Sequence, residues 1–210
     1  MKPDGRPEPR HVFECGKAAR GGGAESSWLR IQTIMRRVRT AINTIMVLDK
    51  VFREFNKRRV RYLVAGGVAV TLYGNPRFTK DLDLFLDPRK DNVQKAVLAF
   101  KTLGFIPRVP VKAEEFISAE NRKKWKREKG MPAFTLVDPK NPFENVDLLF
   151  SAPISFEAAY RRKKVFRSRK IPVPAVGVKG LILMKRKAGR PHDLHDLTIL
   201  DQIARTQKRK

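Results

Sequence analysis

Apolar positions along this chain follow two periods, and the switches between them mark its elements. From Trp28 to Lys57 the period is helical. Ile45, Leu48, Phe52 and Phe55 recur at three- and four-residue spacing, with Lys50, Arg53 and Lys57 on the opposite face. Tyr62 to Ala65 is a short apolar run with strand character. Gly66-Gly67 breaks it, and Val68 to Tyr73 reads as a buried helical turn or two closed by Gly74. Asn75-Pro76 predicts a turn. From Arg77 to Asp87 the period is two, so Leu82, Leu84 and Leu86 point into a core while Asp81 and Asp83 share the other face. Asp87-Pro88 ends that strand. Asn92 to Leu103 predicts a helix with Val93, Ala96, Val97 and Phe100 on one side and Gly104 as its cap. Phe105 to Val111 reads as a short extended piece.

Further on, 133–137 and 146–150 predict two strands around a Pro-rich turn at Pro139 to Pro142. Phe156 to Lys164 predicts a short helix. Val165 to Val176 is extended, and its prolines argue for an edge or connector. Gly180 to Lys187 is helical. Pro191 suits the start of a last amphipathic helix carrying Leu197, Leu200 and Ile203. The segment before Ser27 is rich in Gly, Pro, Arg and Lys with little periodicity. It is expected to be a disordered basic extension over 1–34, followed by a core over 35–177 and C-terminal helices over 178–210 that pack on it.

Charge changes the picture more than composition does. With 41% apolar residues in 210, a real core can form, but 46 Lys and Arg against 21 Asp and Glu leave +25. That excess points to a polyanionic partner, most simply RNA. The densest cluster lies in Ala113 to Gly130, where Lys123, Lys124, Lys126 and Arg127 surround Trp125. Two readings stand there: a backbone-tracking, base-stacking surface, or an exposed helix anchored by one tryptophan. Arg161 and Arg162 begin a second basic run. The single cysteine, Cys15, excludes an internal disulfide and is consistent with a reducing cytoplasm. No apolar run approaches a membrane span, and the N-terminus has no secretory h-region.

The chemistry concentrates in Tyr62 to Asp87. Asp81 and Asp83 sit about 6–7 Å apart on one strand face, where two like charges repel unless a divalent cation lies between them. Asp147 interrupts the apolar run VDLLF, and an acid on a buried strand is costly unless paired or bound to metal. Glu144 is the fallback. His192, His195 and Asp196 invite a metal reading, but a surface helix with capping and salt-bridging roles accounts for them better.

Gly66, Gly67, Ala69, Gly74, Arg77, Thr79, Asp81, Leu82, Asp83 and Leu84 together resemble the polymerase-β-like nucleotidyltransferase superfamily, and in particular its small prokaryotic members. The resemblance covers roughly residues 44 to 203. It implies an α+β fold: a small mixed sheet with helices packed on it and a C-terminal helical part. It implies Mg²⁺-dependent transfer of an NMP from an NTP, with Asp81, Asp83 and Asp147 holding two Mg²⁺ ions, Mn²⁺ being the alternative. Gly66 and Gly67 would hold the triphosphate through backbone N–H groups. Arg77 and Lys185 would neutralise phosphate charge, and Thr79 would orient the Asp81 strand. Relatives of this kind occur as toxins in toxin–antitoxin or phage-defence systems, and some modify tRNA. The basic charge suits an RNA acceptor. The competing class is a catalytically inactive scaffold on the same fold that binds nucleic acid or docks an acidic antitoxin.

Overall fold

The computed structural model describes residues 49–74, 79, 81–131, 133–168, 170–191 and 193–208. The extension expected over 1–34, most of the helix expected from Trp28, the Asn75-Pro76 turn, Arg77 and His192 lie outside them.

Among the described residues seven strands form one mixed sheet in the order β3-β4-β5-β2-β1-β7-β6. In chain order they are β1 (Tyr62–Val64), β2 (Asp81–Leu86), β3 (Ile106–Pro107), β4 (Ala133–Asp138), β5 (Asn141–Leu149), β6 (Lys164–Ser168) and β7 (Ile171–Ala175). The helices are α1 (49–57), α2 (Gly66–Leu72), α3 (Lys90–Thr102), α4 (Ala119–Lys129), α5 (Phe156–Arg161), α6 (Val178–Ala188) and α7 (Asp193–Lys208). A 3₁₀ turn spans Ala113–Ile117. Central β1 and β2 pair antiparallel, whereas β2 runs parallel to β5 and β1 parallel to β7.

The two-residue period of β2 does what the sequence predicts. Leu82, Leu84 and Leu86 are buried. By register Leu84 stands beside Val64 and Leu148, and Leu148 beside Phe134, so one sheet face is continuously apolar. Aromatic side chains seal it. Phe52 stacks on Tyr62, Phe55 meets Tyr62 and Phe100 edge-on, and Phe116 and Trp125 each stack on Phe134. Thus α1, α3, the 3₁₀ turn and α4 cover the face away from Asp81 and Asp83. On the acid-bearing face Phe85 meets Phe156 of α5 at 5.4 Å.

Two expectations shift. The second of the paired strands begins at Asn141, not 146, so the turn shortens to 139–140 and the ladder shifts register between Val137 and Asp138. The extended piece at 165–176 is a hairpin in which β6, not the Pro-bearing β7, forms the edge. Pro172 and Pro174 are tolerated because β7 pairs with β1 only at its far end, through Ala175 and the Val176 N–H to the Val64 carbonyl at 2.9 Å.

Candidate active site

The parallel pairing of β2 with β5 places Asp83 directly beside Asp147, and Asp81 beside Asn145. Neighbouring strands lie about 4.8 Å apart, so three carboxylates arrive on one patch of sheet. Each has a fixed setting. The Asn145 amide donates to Asp81 Oδ1 at 2.9 Å, and Arg108 in turn donates to Asn145 Oδ1 at 2.9 Å. Thr135, across from Asp147 on β4, donates its hydroxyl to Asp147 Oδ1 at 2.7 Å. Thr79 makes a long 3.4 Å contact to the Asp81 carbonyl.

Gly66 closes the other side. Its φ is +57°, a left-handed conformation, and a Cβ there would overlap the Asp83 carboxylate. Only glycine lets the turn between β1 and α2 press its backbone against Asp83. Gly66, Gly67, Thr79, Asp81, Asp83, Asp147 and Lys185 all line one cavity of about 830 Å³.

Burial and crowding act on these acids together. Asp83 is pushed up to about 7, first by burial and then by Asp147 and Asp81; the charges of Arg190 and Lys185 oppose this. Asp147 is also raised, chiefly by burial, against the pull of the Thr135 hydrogen bond. The carboxylates therefore still repel one another where the strands meet, despite the nearby cations. Among the described residues no three acidic, histidine or cysteine side chains converge as a finished metal site. The carboxylates instead line open space. An all-oxygen, like-charged donor set of this kind fits a hard divalent cation, which would relieve the repulsion that raises Asp83.

Other expected residues stand differently. Lys185 reaches the cavity wall, but its ammonium is held by Asp193 at 2.7 Å and Asp196 at 2.6 Å, all three buried. Its charge is already engaged in joining α6 to α7. Trp125 is a correction: the indole is buried and stacked on Phe134 at 5.4 Å, so it anchors α4 and offers no face to a base. Lys123, Lys124, Lys126 and Arg127 are exposed on the same helix. Of these only Lys126 reaches the cavity, where it bonds Ser151 at 2.7 Å. Arg161 and Arg162 are exposed and lie outside this cavity's wall. His195 is exposed as well. Thr135, Asn145 and Arg190 were not expected at the site. Asn145 had a readable signal, since Asn145-x-Asp147 repeats the spacing of Asp81-x-Asp83.

No family model and no curated relative matches the sequence. Solved structures do. ANT(2")-Ia in complex with adenylyl-2"-tobramycin superposes with a TM-score of 0.54 at 12% identity, over 79% of this chain and 92% of that one. The lincosamide antibiotic adenylyltransferase LnuA with lincomycin bound gives 0.51 at 16% identity, over 74% and 95%. The chain has the polymerase-β-like nucleotidyltransferase fold, and the sheet, helices and C-terminal part expected from sequence are those of this fold.

Proposed function

We propose that this protein is a metal-dependent nucleotidyltransferase that moves an NMP from an NTP to an RNA acceptor. One observation carries the reading: Asp83 and Asp147 stand side by side on parallel strands, with Asp81 two residues away and Gly66 packed against Asp83 without room for a Cβ. No structural need explains three neighbouring carboxylates, two of them raised in pKa by their setting.

Asp81, Asp83 and Asp147 would hold two Mg²⁺ ions, which when bound would lower the pKa of an acceptor hydroxyl and stabilise the leaving pyrophosphate. The Asn145 amide and Thr135 hydroxyl hold two of the carboxylates in fixed orientations. Gly66 and Gly67 present backbone to the triphosphate. Arg190 brings positive charge near Asp83 and Asp147. Arg77 keeps the phosphate-neutralising role that the resemblance implies, whereas the paired Lys185 acts through the Asp193–Asp196 junction.

The acceptor is read from charge. Lys126, Lys187 and Arg190 line the cavity, within a chain of net charge +25. Such a mouth attracts a polyanion and repels a polyamine such as tobramycin. A role as the toxin of a toxin–antitoxin pair, with an acidic antitoxin as partner, accords with the same charge.

Each labelled NTP should be incubated with Mg²⁺ and total RNA, with tobramycin and lincomycin as alternative acceptors. Label should enter RNA, and be lost with EDTA, Asp81→Ala or Asp147→Ala. In cells, expression of the wild type but not of Asp81→Ala should arrest growth. Transfer to an antibiotic alone would overturn the RNA acceptor. RNA binding without transfer, unaltered in Asp81→Ala, would establish the inactive scaffold.

A further inference from the structure

A second cavity, of about 450 Å³, opens beside the start of α6 and belongs to no step described so far. Its walls combine two chemistries. Arg162, Lys164 and Lys179 are exposed cations, and among the described residues no acidic one lines the space. Among the described residues none of the three has a carboxylate partner, although much of this surface is laced with ion pairs. The remaining wall is apolar or aromatic. Leu183 is left 48% exposed there, and the half-buried Tyr73 ring, tethered through its hydroxyl to the Val176 carbonyl at 3.2 Å, meets Phe166 edge-on and carries the Lys164 ammonium 5.5 Å from its centroid.

The mouth is built rather than incidental. A Cβ on Gly177 would lie 2.5 Å from the Arg162 carbonyl oxygen, so the chain leaving α5 is packed directly on the residue that precedes α6. That contact joins the stretch carrying Arg162 to the start of α6, which carries Lys179, and both residues line the cavity. Cations without a carboxylate partner beside an apolar wall match a nucleotide, which has an anionic phosphate and a flat base.

We propose that this cavity is a second nucleotide subsite, which holds one phosphodiester-linked nucleotide of the RNA acceptor away from its reacting end. The proposal rests on the RNA-acceptor reading and adds where the strand lies. One helix serves both cavities: α6 lends Leu181, Met184 and Lys187 to the first, and Lys179 and Leu183 to the second. Its 11 residues span about 16 Å, or roughly five nucleotides at the ~3.4 Å rise of a stacked strand. An acceptor long enough to reach both should bind better than one that reaches the first alone.

The test is equilibrium binding of fluorescein-labelled single-stranded RNA, a 12-mer and a 3-mer, in EDTA without NTP, so that transfer plays no part. Arg162→Glu/Lys164→Glu/Lys179→Glu should weaken the 12-mer at least tenfold and leave the 3-mer unchanged. The slope of log affinity against log salt should fall by about 2, from three cations at ~0.7 each on a single strand. Leu183→Asp, which keeps the cations, should weaken the 12-mer too. Arg53→Glu/Lys57→Glu/Lys90→Glu, outside both cavities, should do little. Unchanged 12-mer affinity in the triple variant, or an equal loss in the control, overturns the subsite. Equal competition by a poly-glutamate peptide overturns it in favour of an acidic protein. Failure of the transfer reading alone would leave these binding results standing. Failure of the subsite alone would leave label transfer to the 3-mer and 12-mer alike.

Discussion

Replacing Asp83 by Asn tests the electrostatics of the site without requiring the reaction. The Asp83 carboxyl is pushed from 3.8 up to about 7 by burial and by Asp147 and Asp81. The folded, ion-free protein therefore holds this proton more tightly than the unfolded chain does. That contribution to stability is fully present below about 3.8 and is lost as pH rises through about 7. Asn mimics the protonated acid at every pH. At 1.36 kcal/mol per unit, the stability gap between Asp83→Asn and wild type should widen by up to about 2.7 kcal/mol from pH 5 to pH 7. Because Asp83 is only half-buried by accessible surface, we halve this to roughly 1–1.5 kcal/mol. That corresponds to about 2–6 °C in Tm at the 2–4 °C per kcal/mol typical of this size. Thermal melts in EDTA at half-unit pH steps read it directly. Mg²⁺ should then raise the wild-type Tm above neutral pH and leave Asp83→Asn unmoved, since the cation replaces the missing proton. A gap that stays constant with pH, or a variant destabilised equally at pH 5 and pH 8, would refute the crowded-carboxylate account.

Other outcomes follow from neighbouring contacts. Gly66→Ala adds a methyl where the Asp83 carboxylate sits and strains a left-handed residue. It should cost about 1–2 kcal/mol in urea unfolding and lower NMP transfer at least roughly a hundredfold. Thr135→Val removes the donor that opposes the rise of Asp147, so the acid limb of the pH–rate profile should move upward. Transfer at pH 7 should fall roughly tenfold, the equivalent of ~1.4 kcal/mol from a lost charge-assisted bond. Trp125→Ala should cost about 3–5 kcal/mol by melting while RNA affinity per folded molecule stays unchanged. Lys123→Glu/Lys124→Glu should do the reverse.

What could be read from the sequence was local, and what could not was register. The strand Asp81–Leu86 declared both its faces through the two-residue period, and Gly66-Gly67 marked the break before it, because both are properties of a few consecutive residues. The contact between Asp83 and Asp147 joins residues 64 apart in the chain. No spacing rule gives it, and it was reached only through the family resemblance. Trp125 misled for a related reason. Its helix carries so many cations that composition hides the spacing of Arg122 and Trp125, yet those two are the buried positions of α4. The Arg122 guanidinium is spent on the Phe116, Ile117 and Pro88 carbonyls. Lys185 shows the same limit in charge. It looks like a free cation until α7 folds back and brings Asp193 and Asp196 to it. The acids at the site obey the opposite logic. Asp193 and Asp196 were supplied with a buried lysine, whereas Asp81, Asp83 and Asp147 were left against one another, held by the Asn145 amide and the Thr135 hydroxyl, with Arg190, Arg108 and the already paired Lys185 as the cations acting on them. A fold that neutralises one pair of buried acids and leaves a neighbouring trio in repulsion is what the proposed divalent cations would complete.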